Sequence, residues 1–184
     1  MSLPSKAYNP VKHRSQLDNK YNPLGSCNVT CVAMTMSFFG IKGDNSEPQL
    51  EDQLYQKCIS AGWDRHSPHD LDKLFAWKAV PSIFTAEATV AQIKAHLASG
   101  KPCIFHGYFT RSGHIIECHG YDDSAYGGKG AFICHDPNGE WNASGYTFQE
   151  GAGVDVKYSY AMIKKTCGPD GDFWCHFVGA TKLP

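Results

Sequence analysis

The sequence predicts an α+β fold, with an N-terminal helical half packed on a C-terminal antiparallel sheet. Up to about residue 100, apolar residues recur at helical spacing; beyond it, short runs rich in Ile, Phe and Tyr alternate with glycine-bearing turns. The chain length of 184 residues suits one domain with a full hydrophobic core and little more. Residues 1–184 therefore read as a single domain, with 1–13 as a flexible or extended arm.

Residues 1–25 are polar and rich in turn formers (YNP, DNKYNPLGS), which reads as an extended arm and loop. Ser26 is a suitable N-cap for CNVTCVAMTMSFFG. There Val29, Val32, Ala33, Met36 and Phe39 share one helical face before Gly40 ends the run. A buried helix is predicted to start at or beside Cys27. A second follows Asn45-Ser46 through PQLEDQLYQKCIS, with Pro48 in its first turn. A third starts after Ser67-Pro68 and carries Leu71, Leu74 and Phe75. The fourth, TVAQIKAHLASG, sets Val90, Ile93 and Leu97 on one face and stops at Gly100. Then KPCIFHGYFT, HIIECHGYD and GAFICHDP read as strands, Tyr158 to Lys165 as a further helix, and FWCHFVGA as a last strand.

Composition narrows the function classes. The net charge is -1, with no basic block or acidic tail, so neither nucleic acid nor a membrane surface is an expected partner. No apolar run approaches the roughly 18–20 residues of a membrane span, and the N-terminus lacks the apolar core of a secretory signal. A cytoplasmic protein is expected. In that setting the eight cysteines are expected to be mostly buried, reduced thiols. Cys-His occurs at Cys118-His119, Cys134-His135 and Cys175-His176. Neighbours on a strand face opposite ways, so each pair offers one ligand to a common point. With no CxxC, HxxxH or HExxH present, no metal or other cofactor is expected. His119, His135 and His176 read as structural, with His135 close enough to Asp136 to line a cleft.

The chemistry-bearing residues lie elsewhere. A nucleophilic thiol must be a thiolate, and a helix N-terminus lowers its pKa through free N–H groups and the helix dipole. Cys27 occupies that place, whereas Cys31, one turn further in, reads as packing. His114 opens an apolar strand directly after Ser112-Gly113, where it can point into a cleft. If the next strand folds back as a hairpin, its end at Asp136 lies beside His114, where an acid can orient the imidazole. His106, on the preceding strand, is a rival base. Trp141, Tyr121 and Trp174 read as core or rim packing before substrate contacts, and Asp122 and Asp123 as turn residues.

Three blocks in this order, spanning about residues 14–142, resemble the bacteriocin-processing (double-glycine leader) peptidase-like family of the papain-like clan. They are QLDNKYNPLGSCNVTCVAMTMSFFG, GHIIECHGYD and HDPNGEW. The resemblance implies a papain-like cysteine peptidase fold, Cys27 as nucleophile, His114 as base and then acid, and Asp136 as the orienting group. It also implies a glutamine that binds the oxyanion with the Cys27 amide. Gln16 is the only glutamine before Cys27, and Asn19 or Asn22 could supply the same N–H. The expected activity is peptide-bond hydrolysis through a thioester, on a peptide or protein substrate. Amidase or endopeptidase action on peptidoglycan peptide, glutamine deamidation or transamidation, and a non-catalytic binding module are the alternatives on the same fold.

Overall fold

The computed structural model describes residues 2–142, 144–149 and 151–184. Its helices α1 (Cys27–Phe38), α2 (Leu50–Ala61), α3 (Pro68–Trp77) and α4 (Val90–Ala98) fall in the first half, as the periodicity predicts. The second half supplies β3 (Cys103–Gly107), β4 (His114–Asp122), β5 (Ala131–His135), β8 (Val156–Ser159) and β9 (Cys175–Val178). The turn between β4 and β5 contains one irregular helical turn, α5 (Ala125–Gly128), and α6 (Tyr160–Cys167) follows β8.

All these strands join one antiparallel sheet in the order β2-β9-β3-β4-β5-β8, where β2 is Ser82–Thr85. The long central β4 pairs with β3 over residues 114–118. Its far end pairs with β1 (Lys6–Tyr8), an extended part of the N-terminal arm. Gly120 permits that approach, because a Cβ there would stand 2.6 Å from the Ala7 carbonyl. A separate hairpin joins β6 (Glu140–Asn142) to β7 (Gly145–Thr147).

The alternation of strand residues divides the core in two. Phe105, Ile116, Phe132 and Phe177 face α4 and α6, burying Ile93, Leu97 and Ile163. Ile104, Ile115 and Val178 face the other way, toward Val32 and Met36 of α1, Leu54 of α2 and Leu74 of α3. Helix α4 therefore crosses to the opposite side of the sheet from the three helices before it.

Several local expectations need correction. Helix α1 is not one-faced: every residue from Asn28 to Met36 is buried. It runs between the sheet and α2–α3, so its hydroxyls turn back on its own backbone, Thr30 Oγ1 to Ser26 O at 2.9 Å and Thr35 Oγ1 to Val32 O at 3.0 Å. Phe39 falls outside it as a partly exposed C-cap. Helix α2 begins at Leu50, its first buried apolar residue, after an extended Gln49 cap; Pro48 precedes it. Residues 156–159 pair with β5 as a strand, so α6 starts at Tyr160 rather than Tyr158, capped by Ser159 Oγ on the Met162 amide. Strands β1, β2, β6 and β7 are too short to show a period in the sequence. Among the described residues, no helix is long and apolar enough to cross a membrane.

Phe105 is fully buried and meets Phe132 and Phe173 edge-on, each with centroids 5.2 Å apart. Phe105→Ala is expected to lower unfolding free energy by about 3–5 kcal/mol, measured by urea denaturation. A loss under about 1 kcal/mol would contradict its place in the core.

Candidate active site

The site forms where the start of α1 meets the start of β4. Cys27 is the first residue of α1, after Ser26. Ser26 does not cap the helix with its side chain; its Oγ instead accepts from Asn19 Nδ2 at 2.8 Å. His114 opens β4 after Gly113, whose φ of +84° favours glycine. Thr110 Oγ1 donates to the Gly113 carbonyl at 2.7 Å and closes that turn. In the β4–β5 ladder Glu117 faces His135, so the next residue, Asp136, falls on the His114 side of the sheet, diagonal to it.

His114 Nε2 lies 2.7 Å from Asp136 Oδ1, and both residues are buried. On its other side the imidazole lies close enough to the Cys27 thiol for each group to shift the other's pKa. The three side chains thus adjoin in one row. Asp136 is held from four directions: Oδ1 also accepts from the Asn138 amide at 3.0 Å, while Oδ2 accepts from Tyr158 at 3.1 Å and Tyr146 at 3.3 Å. Tyr146 stands edge-on over His114, with centroids 5.5 Å apart, and Phe109 packs on the same ring. Sequence reasoning missed both tyrosines and Phe109, because only the folded hairpin brings them together.

Burial alone would push the Cys27 thiol up, but His114, chiefly through its charge, outweighs it and leaves the thiol below its ordinary pKa. His114 is likewise pushed down by burial, yet Asp136 and Cys27 raise it to about 10. Cys31 shows the contrast: burial carries it well above the ordinary value, and its Sγ rests on the Ile115 carbonyl at 3.3 Å. All eight cysteines are free thiols; seven are buried, and Cys27 alone is partly exposed.

Cys27 and His114 line a cleft of about 420 Å³ that also includes Gln16, His106, Asn138 and Trp174. Gln16 is 2% exposed; its Nε2 donates one hydrogen to Pro23 O at 2.9 Å and keeps a second. Asn19 has spent both side-chain hydrogens, on Ser26 Oγ and Thr30 Oγ1 at 2.8 Å each. Asn22 is exposed, in a turn closed by the Gly25 amide. Of the three amide side chains considered from the sequence, Gln16 is the one that lines this cleft.

His106 stacks near His176, with centroids 5.0 Å apart, and burial drives its pKa well below the ordinary value. Among the described residues no hydrogen bond joins it to Cys27. Trp174 lies on the cleft wall with Nε1 donating to Asp172 at 2.6 Å, whereas Trp141 packs on Phe109 and Tyr121 is fully buried. His176 is tied to Asp72 at 3.1 Å. Asp122 accepts from Ser124 at the turn, and Asp123 from Lys94 and Tyr160.

Comparison with known proteins agrees with this architecture. A candidate C39-like peptidase from Bacillus anthracis superposes with a TM-score of 0.59 at 13% identity, covering 97% of this chain and 99% of that one. UfSP from C. elegans superposes with a TM-score of 0.62 at 16% identity, covering 95% of this chain but 33% of that longer one. Both likenesses concern the fold, which is the papain-like α+β arrangement. No curated protein matches the chain. The model of the Peptidase_C39 like family matches residues 8–167, and the chain belongs to that family.

Proposed function

We propose that this protein is a cysteine peptidase that cleaves peptide bonds with Cys27 as nucleophile, His114 as proton carrier and Asp136 as its orienting partner. The observation that carries the reading is the Cys27 thiol and the His114 imidazole lining one cleft, with the imidazole bonded to the buried Asp136 carboxylate. Membership of a peptidase family supports a peptide or protein substrate.

In the proposed reaction His114 holds the Cys27 proton, and the thiolate attacks the scissile carbonyl carbon. Electrons move onto the carbonyl oxygen, which is met by the second Gln16 Nε2 hydrogen and the Cys27 amide. As the tetrahedral intermediate collapses, the C–N bond breaks and His114 protonates the departing amine. Water then loses a proton to His114 and attacks the thioester, releasing the acid and restoring the thiol. Asp136 keeps one tautomer and one ring orientation throughout.

The electrostatics set a pH window. The reactive pair needs Cys27 deprotonated, which its lowered pKa allows below the ordinary thiol range, and His114 protonated, which holds until about 10. The profile of kcat/KM is expected to rise below pH 8.5, the ordinary thiol value, and to fall near pH 10. In His114→Ala only the weaker backbone hydrogen bonds at Ile115 and Asn28 oppose the effect of burial on the thiol. Iodoacetamide labelling of Cys27 at neutral pH should then slow by at least about tenfold, the effect of one pKa unit on the thiolate fraction. An unchanged rate would favour the non-catalytic binding module.

A peptide library read by mass spectrometry, with Cys27→Ser as control, tests the activity itself. Cleavage by the parent and none by the variant is the expected result; no cleavage by either would count against the peptidase reading. On a peptide so identified, Gln16→Ala should lower kcat by about 10²–10³ with little change in KM. Equal loss in Asn19→Ala without loss of stability would move the oxyanion role away from Gln16.

A further inference from the structure

Beside Asp136, on the Ile115 side of the sheet, a second set of ionisable side chains is buried away from the cleft. Glu117 and His119 of β4 are fully buried, and His135 of β5 is 2% exposed. One potential ligand atom from each lies within 4.8 Å of the other two. The β-bulge between Cys118 and Gly120 brings this about, leaving His119 out of the ladder and turned toward Glu117. Nothing in the hydrophobic layer around Ile115 calls for a carboxylate and two imidazoles, which are costly to bury. The proposed peptidase chemistry does not use them.

Each imidazole has one ring nitrogen fixed by a carboxylate or carbonyl, as in metal-binding histidines, and an ion would displace the hydrogen bond made by the other. His135 Nε2 donates to the Val11 carbonyl at 2.9 Å, which leaves Nδ1 unprotonated; it accepts from the Asp155 amide at 3.2 Å. His119 Nδ1 lies 2.8 Å from Glu117 Oε2, and its Nε2 lies 3.0 Å from Asp155 Oδ1. The same Asp155 oxygen is 3.9 Å from His135 Nδ1. Glu117 Oε1 is buried with no hydrogen-bond partner, a lone pair without a donor. Asp155 holds a left-handed φ of 49° and has a 46% exposed side chain, so the cluster reaches solvent at that residue.

We propose that Glu117, His119 and His135 form a buried site for a first-row divalent cation, Zn²⁺ by its nitrogen and oxygen ligands, with Asp155, bonded to His119 Nε2, as the outer partner on the solvent side. Bonds of about 2.0–2.2 Å set neighbouring ligand atoms roughly 3.5 Å apart, so the 2.8 Å Glu117–His119 contact opens while wider gaps in the cluster close around the ion. His119 gives up one ring proton to solvent as the ion takes its place. The site is structural: through His135 it grips Val11 of the arm, and through Asp155 it grips the segment entering β8.

The test uses the whole 184-residue chain carrying Cys27→Ser, which removes the competing thiolate beside His114. After chelator treatment it is titrated with Zn²⁺ by calorimetry, and with Co²⁺ by absorption spectroscopy. One equivalent should bind and raise the thermal midpoint, and the Co²⁺ spectrum should show d–d bands without a thiolate charge-transfer band. Adding Glu117→Gln or Asp155→Asn should weaken Zn²⁺ binding at least about tenfold. The exposed Asp155 position keeps the test informative if the Glu117 variant does not fold. Failure to bind micromolar Zn²⁺, affinity unchanged in both variants, or a thiolate band would each overturn the proposal.

Discussion

A fully buried carboxylate must be supplied with hydrogen-bond donors, and that of Asp136 organises the region around it. Its donors come from β4 (His114), from the turn after β5 (Asn138), from β7 (Tyr146) and from β8 (Tyr158). Satisfying one side chain therefore fixes four segments against one another. Tyr158 extends the network, since its oxygen accepts from the Trp141 amide at 2.8 Å and so anchors β6. The pairing of 156–159 with β5 brings this phenol to Asp136; a helix starting at Tyr158 would lack that register.

The proposed nucleophile depends on this carboxylate at one remove. Cys27 and Cys31 lie one turn apart on the same helix, yet their pKa values move in opposite directions. Desolvation raises both; only Cys27 has a cationic partner, and Asp136 and Cys27 itself keep that partner cationic against its own burial. The amide of Asn28 in the first helical turn contributes less than His114 does. A helix N-terminus is the visible sequence cue for a reactive thiol, but the larger physical effect here is the imidazolium.

That difference describes what the sequence disclosed. Helical periods, the Ser67-Pro68 start of α3 and the apolar strands were legible because they are local. The nearness of His114 and Asp136 was legible from a single assumption, that adjacent strands form a hairpin. The two tyrosines on Asp136 were not, since they reach it from a three-residue strand and from a strand that looks like the start of a helix. Nor was the Glu117–His119–His135 cluster. Strict alternation gives each Cys-His pair one inward residue, but it does not register Glu117 as a partner or the bulge that displaces His119. Irregularity in a strand leaves little trace in composition.

The N-terminal arm and loop show how a long connection can still place one side chain well. Eleven positions separate Gln16 from Cys27, and the loop between them is tied at intervals: the Lys20 amide to Asp52 at 2.9 Å, Asn19 to Ser26 and Thr30, and Gly25 O to Arg65. Before the loop, Arg14 meets the fully buried Glu51 at 2.7 Å. Removing one member of such a pair strands a buried charge, at a cost of about 3–5 kcal/mol. The Gln16 amide itself donates to Pro137 O at 2.8 Å, one residue beyond Asp136. The candidate oxyanion donor and the candidate orienting acid are thus fastened to the same turn, and chain length in the loop matters less than these two ends. Glu51 and Asp52 of α2's first turn, buried where an amphipathic helix would carry leucine, are explained by this: they hold the arm and its loop, and these hold Gln16.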